Sequence, residues 1–353
     1  DEEKPKALPN LDYKIVVGNS LISKFDGEIV EIDWERKQSI GKADEYVKNV
    51  QRLLVELADK QKHYFNPNNK NKKKLQVEIR NLKIELLINQ LSFNKELYIS
   101  KTEQKGGFMP TAADIKHNTE RELQINGFDN LITKLKNLLK NPDEPFNHFD
   151  WKLDFPEVLN PYLVNGNGGF DIVIGNPPFV FSRENISNEE KVIYKNHYSL
   201  TQFKINLYIL FIEKGYKLLK NEIGVLFYIT PNNWLTLDTN SDLRKFILSD
   251  TKNICILQNY ANVFESASVD TVIIGFINSK TGTDLVRYLE WEDKIPVIKS
   301  INPAKYYLDS SKHIISGISL NIETDFILNI GGTELQNICD VKNGVQAYTV
   351  GEG

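Results

Sequence analysis

Cysteine, histidine and methionine are scarce in this chain of 353 residues, which has two cysteines, five histidines and one methionine. Cys255 and Cys339 are too few for a disulfide-rich protein or for a zinc site built from several cysteines. We interpret His63 and His117 as surface residues rather than metal ligands. The composition therefore predicts a protein without a metal site.

Long apolar runs are also absent. No run approaches the ~18 residues that a membrane-spanning helix needs, and the acidic first residues do not have the pattern of a signal peptide. The 43 basic residues are balanced by 47 acidic ones, which gives a formal charge of −4. This balance excludes a protein held to nucleic acid by its overall charge. It does not exclude a nucleic-acid enzyme with a local basic cleft. We expect a soluble, cytoplasmic protein with no membrane contact.

Residues 42–145 have the pattern of a helical insertion. Apolar residues three and four apart predict one helix around 47–57 and a second around 75–86. The short polar stretch 66–74 between them favours an antiparallel hairpin. A third helix is predicted over about 119–140, where prolines end it.

A basic run covers the predicted hairpin connection. Eight lysine or arginine residues and one acidic residue, Glu78, lie between Lys60 and Lys83. Such a run could contact DNA phosphates. We favour the commoner interpretation, a solvated hairpin tip.

The rest of the chain has the pattern of an α/β fold. Residues 13–17 read as a β-branched strand that ends at Gly18-Asn19-Ser20. From Phe170 onward, strands and helices alternate, which is typical of a doubly wound, mostly parallel Rossmann-like sheet. The predicted strands are 170–174, 224–230, 254–260 and 271–277, and the predicted helices are 206–220 and 241–249.

The strongest local signal is the segment Phe170–Phe179, FDIVIGNPPF, in which a predicted strand runs directly into Asn-Pro-Pro-Phe. Open α/β sheets bind ligands at the carboxyl ends of their strands, so the motif is placed where a ligand would bind. A loop that happens to hold two prolines is the alternative. The preceding strand makes that alternative the less favoured one.

The residue types of this motif suit methyl transfer to an exocyclic amine. The lone pair of such an amine is delocalised into the ring, so two acceptors aimed at its two protons favour the more tetrahedral nitrogen that attacks. The Asn176 side-chain oxygen can be one acceptor, and the Pro177 carbonyl oxygen the other. Pro177 and Pro178 stiffen the turn because proline has a fixed φ and no N–H. Phe179 can stack on the ring that carries the amine, and its π face can lie against the positive charge that develops on the nitrogen.

Several segments together resemble the gamma class of N6-adenine DNA methyltransferases, the TaqI-like enzymes. The resemblance is closest to the methyltransferase part of fused type IIG restriction–modification proteins. Besides Asn176-Pro177-Pro178-Phe179, the matching segments are Trp151–Val158, Asn206-Leu207-Tyr208 with Phe211, Gly224–Leu235 with Leu243-Arg244, Val263-Phe264 and Gly344–Tyr348.

This resemblance implies an enzyme that flips an adenine out of duplex DNA and methylates its N6 amine with S-adenosylmethionine. The implied catalytic residues are Asn176, Pro177, Pro178 and Phe179. Phe179 and Phe264 would stack on the flipped base from its two faces. The residues implied to contact the cofactor are Asn19, Ser20, Leu207, Phe211 and Asn176, while Tyr208 is expected to be structural.

The domain organisation follows from the same resemblance. Residues 1–41 and 146–312 are expected to form the methyltransferase domain, and residues 42–145 the insertion. Residues 313–353 are expected to be a linker and the start of a target-recognition domain. The family's glycine-rich cofactor loop is absent from this sequence. We therefore expect a fragment with an incomplete sheet, from an enzyme that a fused or associated endonuclease and recognition domain would complete.

Two other readings stay open. A methyltransferase acting on protein glutamine or on RNA guanine would place the same Asn-Pro-Pro-aromatic motif after a strand. A non-catalytic DNA-binding or assembly fragment would use the helical insertion for contacts instead.

Overall fold

A computed structural model describes residues 12–30, 34, 42–66, 69–107, 109–164, 166–179, 186–201, 205–259, 270–309 and 313–315. Within these ranges, no helix combines the length and apolarity that crossing a membrane requires. The segment 344–348 and most of the predicted linker lie outside the described residues.

The first half of the described chain is mainly helical. A short antiparallel hairpin of β1 (Lys24–Phe25) and β2 (Glu28–Ile29) precedes three long helices. These helices are α1 (Lys42–Tyr64), α2 (Lys72–Lys101) and α3 (Ala112–Lys140). The three predicted helices are present, and α1 and α2 are joined by the short polar connection expected from the sequence.

Helix α3 begins at Ala112 rather than near residue 119, because Thr111 caps it. The Thr111 side chain accepts a hydrogen bond from the Asp114 backbone N–H at 3.2 Å, and the Asp114 carboxylate accepts one from the Thr111 N–H at 3.0 Å. This reciprocal capping box satisfies two N–H groups that a helix start otherwise leaves without partners.

The second half of the described chain alternates between strands and helices, as predicted. Its helices are α4 (Trp151–Asp154), α5 (Pro156–Leu159), α6 (Asn188–His197), α7 (Leu207–Leu218), α8 (Ser241–Asp250) and α9 (Ala304–Leu308). Its strands are β3 (Ile172–Gly175), β4 (Val225–Pro231), β5 (Lys252–Asn259), β6 (Thr271–Ile277), β7 (Leu285–Glu292) and β8 (Ile295–Pro303).

These strands form one six-stranded sheet in the order β3-β4-β6-β5-β7-β8. The pairs β3–β4 and β5–β7 are parallel, whereas β4–β6, β5–β6 and β7–β8 are antiparallel. The predicted α/β fold is confirmed, but the described sheet is mixed rather than mostly parallel. The reason is local: β7 and β8 are joined by a two-residue turn, Asp293-Lys294, and β6 follows β5 as its antiparallel neighbour.

The main core lies on one face of the sheet. Leu226, Ile256 and Ile274 point into it from three strands and are fully buried, and helices α7, α8 and α9 cover them. On the opposite face, Ile172 and Ile174 of β3 are 61% and 77% exposed. No other described strand pairs with the free edge of β3.

The strand predicted for residues 13–17 is wrong. These residues form turns and irregular backbone, and Ile15 and Val17 are 70% and 94% exposed. The β-branched run is suited to a strand, but no described strand pairs with it. Strand preference is decided by such pairing and by burial more than by residue type.

The insertion is joined to the sheet half by an apolar cluster and a buried ion pair. Leu153 of α4 packs in the same cluster as Leu54 of α1 and Ile79 of α2. Next to it, Lys83 Nζ lies 2.6 Å from the Asp154 carboxylate, and both side chains are at least nine-tenths buried.

Candidate functional site

The Asn-Pro-Pro-Phe motif, residues 176–179, lies at the carboxyl end of β3, as predicted. Asn176 is exposed and Pro177 is buried. Gly175 pairs with Tyr228 in the parallel register of β3 and β4. The motif therefore begins next to the last residues of β4, on the neighbouring strand.

Two more segments meet at the same edge of the sheet. Pro231 ends β4, and a short 3-10 turn, Asn232–Leu235, follows it. Asn259, the last residue of β5, pairs with Thr271, the first residue of β6. The connection 260–269 thus leaves and rejoins the sheet at this edge. Phe264, predicted to stack on the target base, belongs to that connection and lies outside the described residues.

Asn19 is exposed, and its side chain closes a turn instead of ending a strand. Its side-chain oxygen accepts hydrogen bonds from the backbone N–H groups of Leu21 at 2.9 Å and Ile22 at 3.3 Å. Its side chain also bonds the Tyr194 hydroxyl. The neighbouring Ser20 carbonyl accepts a hydrogen bond from the Trp151 indole at 2.9 Å. These bonds fix the turn.

This turn packs against α7, which carries Leu207 and Phe211. Leu21 and Ile22 share an apolar cluster with Leu210, and Leu207 and Phe211 pack against that cluster. Phe211 also packs against the main core of the sheet. The structure therefore brings the Asn19–Ser20 turn and the two predicted α7 residues into one neighbourhood.

Asn206 is a polar residue of this neighbourhood that belongs to a matching segment of the sequence but was not predicted to contact the cofactor. It precedes α7, yet its side chain does not cap the helix. Its side-chain oxygen is buried and makes no hydrogen bond to a described residue. A buried acceptor without a donor costs about 1–3 kcal/mol, so such an atom calls for an explanation. A ligand N–H group would satisfy it, and S-adenosylmethionine offers both an ammonium and an exocyclic amine.

These residues fit that cofactor in chemical type. Half-buried Phe211 and Leu207 offer apolar surface for an adenine ring, and the buried Asn206 side-chain oxygen offers a hydrogen-bond acceptor. The signal that could have identified Asn206 is its position directly before Leu207-Tyr208 in the motif.

A cavity of about 970 Å³ lies elsewhere. Its lining includes Gly168, which precedes β3, and Asn221, which precedes β4, so it opens at the amino end of the sheet. Burial lowers the pKa of Lys214 in its wall and raises the pKa of Asp150. Lys214 and Asp150 stabilise each other's charge there. The cavity is at the opposite end of β3 from Asn176.

Within the described ranges, no group of three or more His, Cys, Asp or Glu residues could hold a metal ion.

Comparisons with known proteins place the chain among restriction–modification enzymes. A family model described as the Eco57I restriction-modification methylase matches residues 44–264. The chain is 31% identical over 148 residues to the type II restriction enzyme and methyltransferase RM.Eco57I of Escherichia coli, a match that covers 38% of this chain and 14% of that protein. It is 34% identical over 144 residues to the type II methyltransferase M.TthHB8I of Thermus thermophilus, covering 38% of this chain and 33% of that protein.

Among solved structures, the chain is similar to the type IIL restriction-modification enzyme MmeI in complex with DNA. The identity is 17% and the TM-score 0.31, over 72% of this chain and 39% of that one. So low a TM-score adds no argument. The chain spans a third or less of the length of the two curated relatives. Because the family model matches more than half of its residues, the chain belongs to the Eco57I restriction-modification methylase family.

Proposed function

We propose that this chain carries the catalytic part of a site-specific methyltransferase that modifies the N6 amine of adenine in duplex DNA, as part of a restriction–modification system. One observation carries the proposal: Asn176-Pro177-Pro178-Phe179 follows β3 at the carboxyl edge of the sheet, beside the end of β4. The family supports the coarser part, methylation in such a system.

The motif would act by holding the amine. The Asn176 side-chain oxygen and the Pro177 carbonyl would each accept one N–H of the target, which favours a tetrahedral nitrogen with its lone pair aimed at the methyl carbon. As the nitrogen–carbon bond forms, positive charge develops on the nitrogen, and one proton then leaves to solvent. Half-buried Phe179 would stack on the base. Such stacking is worth roughly 1–3 kcal/mol and offsets part of the cost of flipping the base.

The cofactor for this reaction is S-adenosylmethionine, which supplies a methyl group on a sulfonium that leaves as a neutral thioether. The Asn19–Ser20 turn, Leu207 and Phe211 would hold it next to Asn176. The residues of the chain would contribute position, which supplies much of the acceleration when two reactants are held in line.

The test is N176A in the full gene product, expressed in a host without its own adenine methylation. Modified nucleosides in the host DNA are measured by mass spectrometry. We expect N6-methyladenine with the wild type and a loss of about 10²–10³-fold with the variant, the size of effect seen when one transition-state hydrogen bond is removed.

The matched control is N130A, an exposed asparagine on α3, which should methylate normally. Equal methylation by N176A and the wild type would remove Asn176 from the catalytic site. A methylated cytosine in place of adenine would refute the proposed target.

A further inference from the structure

The carboxyl edge carries a second polar segment beside the Asn-Pro-Pro-Phe motif. Residues 232–237, here called the β4 loop, follow directly from β4. They begin one strand away from the motif, because β3 and β4 are parallel neighbours. Any base held by Asn176 would therefore have the β4 loop beside it.

The β4 loop is held from beneath by a buried arginine. Arg244 of α8 is fully buried, and its guanidinium donates to the carbonyl oxygens of Trp234 at 2.5 Å and Leu237 at 2.7 Å. The Trp234 indole in turn donates to the Thr230 hydroxyl at 3.0 Å. Buried bonds from a charged donor are among the stronger ones, so this part of the loop is fixed.

A second bond ties the loop to α7. Tyr208 is only 2% exposed, and its hydroxyl donates to the Asn233 side-chain oxygen at 3.3 Å. The hydroxyl also bonds the side chain of Asn240. Tyr208 stands between Leu207 and Phe211 on the helix that packs against the Asn19 turn. The bond thus connects the predicted cofactor side of the site to the β4 loop.

The side chain of Asn232 takes no part in the hydrogen bonds that hold the β4 loop. Its backbone N–H donates to the Asp270 carbonyl at 3.0 Å, which fixes the start of the turn against β6. Its side chain is half-buried and makes no hydrogen bond to any residue in the described ranges. A side-chain amide of this kind can donate to a ring-nitrogen acceptor of adenine.

We propose that the β4 loop forms one wall of the target-base site, that Asn232 contacts the base there, and that Tyr208 is a positioning residue that holds the loop in place. This inference rests on the proposed function, since it takes a flipped base as the ligand. It assigns to Tyr208 a role in the reaction beyond packing, and adds Asn232 to the substrate-contacting residues.

The experiment compares Y208F with Y228F in the full gene product. Tyr228 lies in the same core cluster, is 6% exposed, and its hydroxyl makes no hydrogen bond to a described residue. Both changes remove one hydroxyl and keep the ring. We expect Y208F to lower kcat about tenfold, the equivalent of one hydrogen bond, with unchanged calorimetric binding of S-adenosylhomocysteine. Y228F should keep both values.

A second arm measures the base directly. Once the methylated sequence is known, 2-aminopurine replaces the target adenine, and its fluorescence reports unstacking. N232A should raise the KM for DNA about tenfold and reduce the fluorescence gain on binding, whereas N130A should change neither.

The possible failures are distinguishable. If the wild type does not methylate adenine, the proposed function fails before any variant is compared. If the wild type does methylate adenine, two results would overturn the loop inference alone. One is Y208F matching Y228F in kcat, with only a shared loss of thermal stability. The other is N232A matching N130A.

Discussion

His148 is a residue whose surroundings change its acid–base behaviour. Its Nε2 hydrogen-bonds the Ser23 hydroxyl at 2.9 Å, and its ring stacks on Phe146 with the centroids 5.4 Å apart. Its Nδ1 is buried without a hydrogen bond to a described residue. Desolvation lowers the pKa of His148 to about 4, although nearby Asp154 opposes the shift. The folded protein therefore keeps the ring neutral where the unfolded chain would protonate it.

This difference predicts a loss of stability in mild acid. The unfolded imidazole takes up a proton near pH 6.5 and the folded one only near pH 4, so the contribution is complete above pH 6.5 and falls as the pH drops towards 4. At ~1.4 kcal/mol per pKa unit, the loss is at most about 3.5 kcal/mol. Urea unfolding at several pH values measures it. H148Q should flatten this part of the curve, and an unchanged slope in H148Q would contradict the assignment.

The Asn-Pro-Pro-Phe residues of the candidate site could be predicted from the sequence because their signal is local: a strand followed by an unusual turn. The candidate role of Asn206 and the role proposed for Tyr208 could not be predicted in this way. Their significance lies in a missing partner and in a bond to Asn233, which is 25 positions away along the chain. Neither the missing partner nor the long-range bond can be predicted from the spacing of residue types.

At the scale of elements, the sequence predicted the strands and helices with strong periodicity. Strand β6, Thr271–Ile277, matches its predicted bounds, and α7 and α8 differ from theirs by one or two residues. The hairpin of β7 and β8 was not predicted. Its turn residues Asp293 and Lys294 have φ of 47° and 67°, as in a type I′ turn, but lack the glycine that usually marks one.

Two glycines should respond in opposite ways to alanine. Gly127 lies within α3, and a Cβ there meets nothing within 4 Å. G127A should therefore raise the free energy of unfolding by about 0.5–1 kcal/mol. Gly169, just before β3, has φ of +138°, and a Cβ would lie 2.4 Å from the Lys220 backbone nitrogen. G169A should lower the free energy of unfolding by about 1–3 kcal/mol.

Thermal and urea unfolding of both variants test this pair. The same sign of change in both would mean that the local backbone does not control these positions. Full secondary structure in G169A by circular dichroism would show that the loss is one of stability rather than of fold.

At the scale of the whole molecule, the two faces of the described sheet are covered unequally. One face of the sheet is covered by three helices, while β3 offers exposed isoleucines on its other face and an edge with no described partner. The sequence could not reveal this imbalance. The residue types of a β-branched strand are the same whether its second face is covered or exposed, so they do not predict which of the two holds.

The open edge of β3 has a consequence for colloidal behaviour. A strand with free N–H and C=O groups and apolar side chains is a template for the same strand in another copy, and natural proteins usually guard such edges with charge. The chain produced by itself should associate as its concentration rises, and light scattering would detect the onset. I174K places a charge beside the edge and should delay that onset, whereas K195Q, a change at an exposed lysine of α6, should not. If I174K does not change the onset of association, another surface of the chain mediates the association. A delayed onset with I174K would mean that the free lateral edge of β3 limits how concentrated a stock of this chain can be.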